Sequence, residues 1–198
     1  MARLGKGGPP GAGHGNNKGP GDASQAPEQR GRRDRGPAQA REPRSKLYNE
    51  DVVKINRCAK VVKGGKRFSF AAFVVLGDSK NKVGFGKGKA KEVASSIDKA
   101  VRDGEKVVRS YPIVNGTIPH EVEGRFGSAK VRLIPAADGT GVIAGKSVRA
   151  VLEKVGVHNI LTKAYGNHNP VNLIRATLDA LSRLRTREQY QQLRGVQL

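Results

Sequence analysis

The segment GTGVIAGKS, at residues 139–147, has the residue types of a phosphate-binding loop. A nucleotide-binding P-loop requires glycine, four further residues and then Gly-Lys-Ser or Gly-Lys-Thr, because successive backbone N–H groups must surround one phosphate. Counting back from Gly145, the required glycine falls on Thr140, so the spacing is wrong for an NTPase. A glycine-rich entry to a helix can still bind a phosphate, of a nucleotide or of a nucleic-acid backbone. Its cationic candidates are Lys146 and Arg149.

A second glycine-rich segment, VGFGKGKAKEV at 83–93, is similar to the dinucleotide fingerprint G-x-G-x-x-G, but Lys89 stands where the third glycine is required. Glycines let a backbone approach a ligand closely, and lysines place positive charge beside it. We favour a sugar–phosphate backbone as that ligand; the alternative is a tight strand–helix joint with solubilising lysines. The candidate binding residues are Phe85, Lys87, Lys89 and Lys91.

The segment VVKGGKRF, at 61–68, predicts a hairpin with a basic tip. Two adjacent glycines supply the positive φ that a tight turn demands. Such a tip can enter a groove or a junction between nucleic-acid helices, and the alternative is an ordinary exposed turn. The candidate residues are Lys63, Gly64, Gly65, Lys66 and Arg67.

The sequence does not favour catalysis or a metal centre. Four histidines and one cysteine are scattered without ligand spacing, and no nucleophile elbow is present. The polar segment YGNHNP, at 165–170, is better explained as the turn before a capped helix. We therefore expect no cofactor, no metal, no small-molecule substrate and no enzyme activity. The single Cys58 permits no internal disulfide and fits a reducing cytoplasm.

The elements that position these segments predict an α+β fold. Between 47 and 112, alternating apolar residues predict two strands around the 63–66 turn, and a third strand is expected at 82–86. Apolar residues at helical spacing then run from Ala90 to Val108. Three strands covered by one helix form the first predicted domain.

A second α+β domain is predicted over 113–186. Its strand candidates are 117–123 and 129–135, joined by a loop at 124–129, with a helix near 145–155 and a strand at 159–165. Asn169 suits the N-cap of a last helix and Pro170 its first position. The remaining residues, 187–198, are expected to form a polar tail that frays.

The charge balance points to a polyanionic partner. The chain has 37 Lys and Arg against 17 Asp and Glu, a net charge of +20 over 198 residues. Residues 1–46 hold ten glycines and six prolines with almost no large apolar residue, so we predict a disordered basic tail there. The longest near-apolar run, 70–77, is far shorter than the ~20 residues that span a bilayer, so a membrane partner is not expected.

Three segments together resemble the bacterial small-subunit ribosomal protein five family. They are VVKGGKRFSFAAFVVLGD at 61–78, KVGFGKGKAKEV at 82–93, and IPAADGTGVIAGKSVRAVLEKVGVHNILTKAYGNHNPVNLIRATLDAL at 134–181. The resemblance covers about 47–185 in order and includes neither 1–46 nor 187–198. It implies a first domain similar to the double-stranded-RNA-binding fold, and a second domain with a βαβ unit of unusual left-handed connection.

The resemblance also implies a function. Members of this family are structural constituents of the small (30S) subunit, bind its rRNA where the head meets the body, and influence translational accuracy. They contact ribosomal proteins four and eight of the small subunit. The 63–67 hairpin matches the loop that reaches toward the head rRNA, in which the resemblance implies that changes give spectinomycin resistance. A second loop matches the region that faces protein four, with the candidate residues Gly124, Arg125, Phe126 and Lys130.

Two alternatives to a ribosomal role remain open from the sequence. The first is a free-standing RNA-binding regulator, which would have the same basic surface. The second is an NTPase that uses 139–147, for which no strand candidate ends in a convincing acidic Mg²⁺ ligand.

Overall fold

The structure is a computed structural model that describes residues 48–195. The tail predicted at 1–46 lies outside the described residues. Two four-stranded sheets organise the described part of the chain. The first half contains β1 Asn49–Val62, β2 Gly65–Gly77, β3 Lys82–Ala90, α1 Val93–Glu105 and β4 Arg109–Ser110. The second half contains β5 Val122–Phe126, β6 Ala129–Pro135, β7 Val142–Ile143, α2 Lys146–Val155, β8 Ile160–Gly166, α3 Pro170–Ser182 and α4 Arg187–Arg194.

The first sheet is antiparallel, with strand order β1-β2-β3-β4, and α1 covers one of its faces. The predicted alternation in β2 is confirmed where α1 packs. Ala72, Val74 and Leu76 are buried in one cluster with Ala100 of α1. Residues of β2 between them point to the opposite face, because side chains alternate along a strand. That opposite face is also buried near the end of β2, where Val75 joins the larger core cluster.

The strand β3 is longer than the sequence predicted. It continues past residue 86 to Ala90, so Gly88 lies inside the strand together with Gly84 and Gly86, and none of the three is in a joint between strand and helix. A Cβ on any of the three would come within 3.0 Å of the α1 backbone. The glycines therefore let the helix approach the sheet, which corrects the expectation that they admit a ligand.

The second sheet has the order β5-β6-β8-β7, and only β7 and β8 among its pairs are parallel. The sequence β7–α2–β8 is thus the expected βαβ unit. The strand predicted at 117–123 and the loop at 124–129 are wrong, because β5 spans 122–126 and the chain turns at Gly127 and Ser128. Gly124 suggested a loop, but its missing side chain makes room for the Ala176 carbonyl of α3.

Helix α3 begins as predicted. The Asn169 side chain accepts a hydrogen bond from the Val171 N–H at 3.2 Å, and Pro170 is the first helical residue. The fraying expected after Arg185 is wrong for 187–194, which form α4. A capping box explains this helix: the Thr186 side chain accepts from the Gln189 N–H while Gln189 accepts from the Thr186 N–H.

A single apolar core continues across the predicted domain boundary at 112–113. Val75 and Phe85 of the first sheet share one buried cluster with Leu152 and Val155 of α2. The turn between β2 and β3 also binds the end of α2, since the Ser79 N–H donates to the Lys154 carbonyl at 3.0 Å. Residues of α2 therefore join the two sheets in one apolar core.

Candidate nucleic-acid interface

Five cationic side chains share the face of the first sheet that is opposite to α1. Residues paired directly across antiparallel strands point to the same face. In the register, Phe73 pairs with Lys54 on one side and Lys87 on the other, and two residues further along Ala71 pairs with Lys89. All five cations are exposed. We call this surface the basic face and define it by Lys54, Lys60, Arg67, Lys87 and Lys89.

Carboxylates are rare in the strands that build the basic face. Residues 52–77 contain six Lys or Arg and no Asp or Glu, and residues 79–91 contain five Lys and again no acid. The only acids of these three strands are Glu50 and Asp51, at the start of β1 and before the first of the five cations. A cationic cluster of this kind attracts a polyanion and concentrates it near the surface.

The hairpin tip between β1 and β2 extends the positive charge beyond the sheet. The register closes at the pair Val62 and Gly65, and Gly64 has a φ of +81°, which confirms the predicted tight turn. Lys63 and Lys66 flank the turn and are exposed. No heavy atom lies within 4 Å of where a Cβ on either glycine would be, so the tip stands clear of the rest of the described chain.

Phe85 does not lie with the lysines that surround it in the sequence. Its ring is stacked on that of Phe73, with centroids 6.4 Å apart, and it is 9% exposed. Phe85 is therefore a core residue that cannot stack on a base, and we leave it out of the interface. Lys91 lies in an exposed turn before α1, beyond the end of β3.

The start of α2 carries Lys146 and Arg149, both exposed. Gly145 is its N-cap, and Arg149 donates through Nη2 to the Val142 carbonyl at 3.2 Å. The short strand β7 stands between the glycines at 139 and 141 and this helix. A P-loop instead joins its strand to its helix directly through the glycines, so the geometry disagrees with an NTPase.

The hairpin of β5 and β6 holds the four residues for which a protein contact was expected. Arg125 and Lys130 are directly opposite each other, and the Arg125 N–H donates to the Asp179 carboxylate at 2.9 Å. Phe126 is partly exposed beneath Arg175, whose Cζ lies 4.9 Å from the ring centroid. Gly124 is buried against α3 and contributes packing alone.

Charge on this second sheet is partly paired, in contrast to the basic face. Glu123 forms an ion pair with Lys130 at 3.6 Å, and Glu121 pairs with Arg132. The hydrogen bond from Arg132 holds the pKa of the Glu121 carboxyl below its ordinary value. The strands β5 and β8 each carry one further cation, so four cations stand against two acids and the surface is less positive than the basic face.

Sequence inspection missed Lys54 and Lys60. They are spaced along β1 among apolar residues, and only the register of β1 on β2 aligns them with the residues of β3. Their signal was the even separation of 54 and 60, which puts both on one face of a strand. Neither residue lies in a glycine-rich segment or a predicted turn, so the sequence pattern did not indicate a site there.

The described residues support neither a metal site nor a membrane-spanning helix. Between 48 and 195, no group of three or more His, Cys, Asp or Glu side chains is arranged to hold a metal ion. In the same range no helix is long and apolar enough to cross a membrane.

The two-sheet α+β fold and its basic face define a protein of the RNA-binding class. Family models for the N-terminal and C-terminal domains of ribosomal protein S5 match residues 48–110 and 124–194. The chain belongs to the uS5 family of ribosomal proteins. It is 59% identical to the small ribosomal subunit protein uS5 of Rhodopirellula baltica over 145 residues, which cover 73% of this chain and 82% of that relative. It is 56% identical to the uS5 protein of Syntrophobacter fumaroxidans over 146 residues, 74% of this chain and 88% of the relative.

Proposed function

We propose that this chain is a structural constituent of the small ribosomal subunit and binds small-subunit rRNA through the basic face and the 63–66 hairpin tip. The observation that carries the proposal is the register of the first sheet, which collects five cations on one surface, with no acid in residues 52–77 or 79–91. The names of the uS5 relatives supply the ribosomal context.

The basic face binds RNA mainly through phosphates. Lysine is a flexible point charge that neutralises a phosphate without reading a base, and four of the five cations are lysines. Each neutralised phosphate releases condensed counterions, which makes affinity high at low salt and weak at high salt. Recognition then depends on the shape of the folded RNA, because the major groove of A-form RNA is too narrow for side chains.

The hairpin tip and α2 add two further contacts. Lys63 and Lys66 stand on a glycine turn with open space around it, which supports a tip that reaches toward the head rRNA. Lys91, Lys146 and Arg149 are exposed cations that contact neighbouring phosphates.

The second sheet faces proteins. Two of its cations are paired with acids, and its β5–β6 hairpin presents Arg125 and a partly exposed Phe126. A surface that mixes an aromatic side chain, arginine and paired charges is typical of protein interfaces. We assign Arg125, Phe126 and Lys130 to the contact with ribosomal protein four, and a further surface to protein eight. Through these contacts the chain supports translational accuracy in the cytoplasm, without a cofactor and without catalysis.

The test replaces Lys63 and Lys66 together by glutamate. Incorporation into small subunits should fall, or sensitivity to spectinomycin should change, because the variant repels the rRNA at the tip. The melting temperature should stay the same, since Lys63 and Lys66 are exposed and nothing lies within 4 Å of a Cβ on Gly64 or Gly65. The matched control is Lys80→Glu with Lys106→Glu, which makes the same charge change at exposed positions off the hairpin and the basic face.

Unchanged incorporation and unchanged drug sensitivity in the hairpin variant would contradict the assignment of the tip. Sedimentation of native extract tests the ribosomal role itself: the chain should travel with small subunits at stoichiometric yield, whereas a free-standing regulator would not. Saturable micromolar binding of ATP or GTP by the isolated protein would favour the NTPase hypothesis.

A further inference from the structure

The hairpin of β1 and β2 carries an exposed apolar surface on the side that is not the basic face. Phe68 pairs with Ala59, and Val61 with Lys66, so these residues share the face that α1 covers further along the sheet. The helix covers only the part that begins at Ala72. Beyond it, Phe68 is 46% exposed and Val61 is 73% exposed.

Arg57 lies directly over this exposed aromatic ring. Its Cζ is 3.7 Å from the centroid of Phe68, well inside the range of a cation–π contact. Arg57 is also exposed. The cation–π contact holds the guanidinium at the ring in the absence of a ligand, so the pair presents a preformed surface of ring and guanidinium at the hairpin.

We propose that Arg57 and Phe68 form a stacking platform for one unpaired base of the bound RNA. The proposal rests on the proposed rRNA-binding function and adds a subsite to it. Unpaired bases in folded RNA stack on aromatic rings and on guanidinium planes, and such stacking tolerates any base because every base has a π face. With the basic face on one side of the hairpin and the platform on the other, the hairpin contacts phosphates and a base at once.

Charge complementarity favours RNA over a protein at this platform. Within 52–77 every charged side chain is cationic, and Lys66 lies on the same face as the platform, so the phosphates that flank a stacked base meet positive charge and no acid from this hairpin segment. The other phenylalanine–arginine pair, Phe126 with Arg175, lacks this setting because Glu123 lies on the same strand as Phe126 and Asp179 lies on the same helix as Arg175. It therefore provides an internal control with similar chemistry and a different charge environment.

The experiment uses the full chain and two RNA hairpins that differ only in one bulged nucleotide, labelled as 2-aminopurine. The wild-type chain should bind the bulged RNA about 10-fold more tightly than the fully paired RNA, and binding should change the fluorescence of the bulged base. Phe68→Leu and Arg57→Lys should each remove that preference, because the first deletes the ring and the second keeps the charge but loses the plane. Phe68→Tyr and Arg175→Lys should keep the preference.

The outcomes separate this proposal from the one on which it rests. Equal affinity of the wild-type chain for both RNAs, with intact binding of small-subunit rRNA, would overturn the platform and leave the proposed function standing. Absence of binding to any rRNA would overturn both. If Phe68→Leu retained its preference for the bulged RNA but entered subunits poorly, the surface would belong to a protein contact and the platform would be rejected. Melting of each variant is checked first, and Arg57→Lys carries the test if Phe68→Leu unfolds.

Discussion

Gly86 of β3 lies against the carbonyl oxygen of Ala100 in α1, so closely that a Cβ on Gly86 would be within 3.0 Å of that oxygen. This contact sets the distance between the helix and the sheet. It also explains the alternation of glycine and lysine: glycines face the helix, while Lys87 and Lys89 point to the opposite side. The same strand thus packs through one face and offers charge through the other.

Gly86→Ala should lower the free energy of unfolding by about 3 kcal/mol, because the added methyl group must displace the backbone of α1. Chemical denaturation measures this loss. Gly65→Ala is the control: nothing lies within 4 Å of its Cβ position, and its cost should stay below about 0.5 kcal/mol. Similar costs for the two variants would mean that the helix does not approach β3 as described.

Lys87→Glu combined with Lys89→Glu should weaken binding to small-subunit rRNA at least about 10-fold, because two attractive contacts become repulsive. Both side chains are exposed on the basic face, so the melting temperature should barely move. Filter binding at fixed salt gives the affinity. Lys106→Glu, at the C-cap of α1, changes charge on the opposite layer and should leave the affinity nearly intact; an equal loss there would mean that net charge alone governs binding.

Thr186→Ala should unfold α4 locally, since the capping box would lose the hydroxyl that accepts the Gln189 N–H. The free energy that stabilises the folded helix should fall by about 1 kcal/mol. None of the residues of α4 is buried, so the global transition should not shift. Hydrogen exchange of the 187–194 amides should accelerate in Thr186→Ala and remain slow in Thr186→Ser, and protection that survives in both would show that the cap is not what forms this helix.

Tyr111 should ionise at a higher pH than a free tyrosine. Burial raises the pKa of its phenol above the ordinary value of 10.0, and the nearby Arg109 opposes this only in part. Because the folded-state pKa is the raised one, the stability that this group contributes is complete below pH 10 and is lost as the pH rises through the folded-state pKa. Ultraviolet absorbance titration of the wild-type chain and of Tyr111→Phe isolates this group, and an ordinary pKa would contradict its burial.

Local signals were predictable from the sequence. The turn at 63–66, the N-cap at Asn169 and the alternation in β2 depend on a few adjacent residues, and all three occur in the structure. The capping box at Thr186 and Gln189 was equally local and was overlooked in a polar segment.

Features that depend on tertiary contact were not predictable in this way. Gly86 was interpreted as making room for a ligand and Gly124 as a loop residue, and only the helices packed against them show why a strand needs glycine there. Phe85 lies among lysines in the sequence, yet its ring stacks on that of Phe73 and packs in the core. The basic face could not be predicted because it depends on how β1, β2 and β3 pair with one another. The sequence of a single strand does not determine that pairing.

The salt dependence of rRNA binding tests the central claim most directly. The logarithm of the binding constant of the wild-type chain should fall linearly with the logarithm of salt concentration, with a slope of about −0.7 to −0.9 per phosphate neutralised. Replacing Lys54, Lys87 and Lys89 by glutamine should reduce the magnitude of that slope by about 2 to 3 and weaken binding at low salt. An unchanged slope and an unchanged affinity in this triple variant would show that the RNA binds elsewhere and that the basic face is not its site.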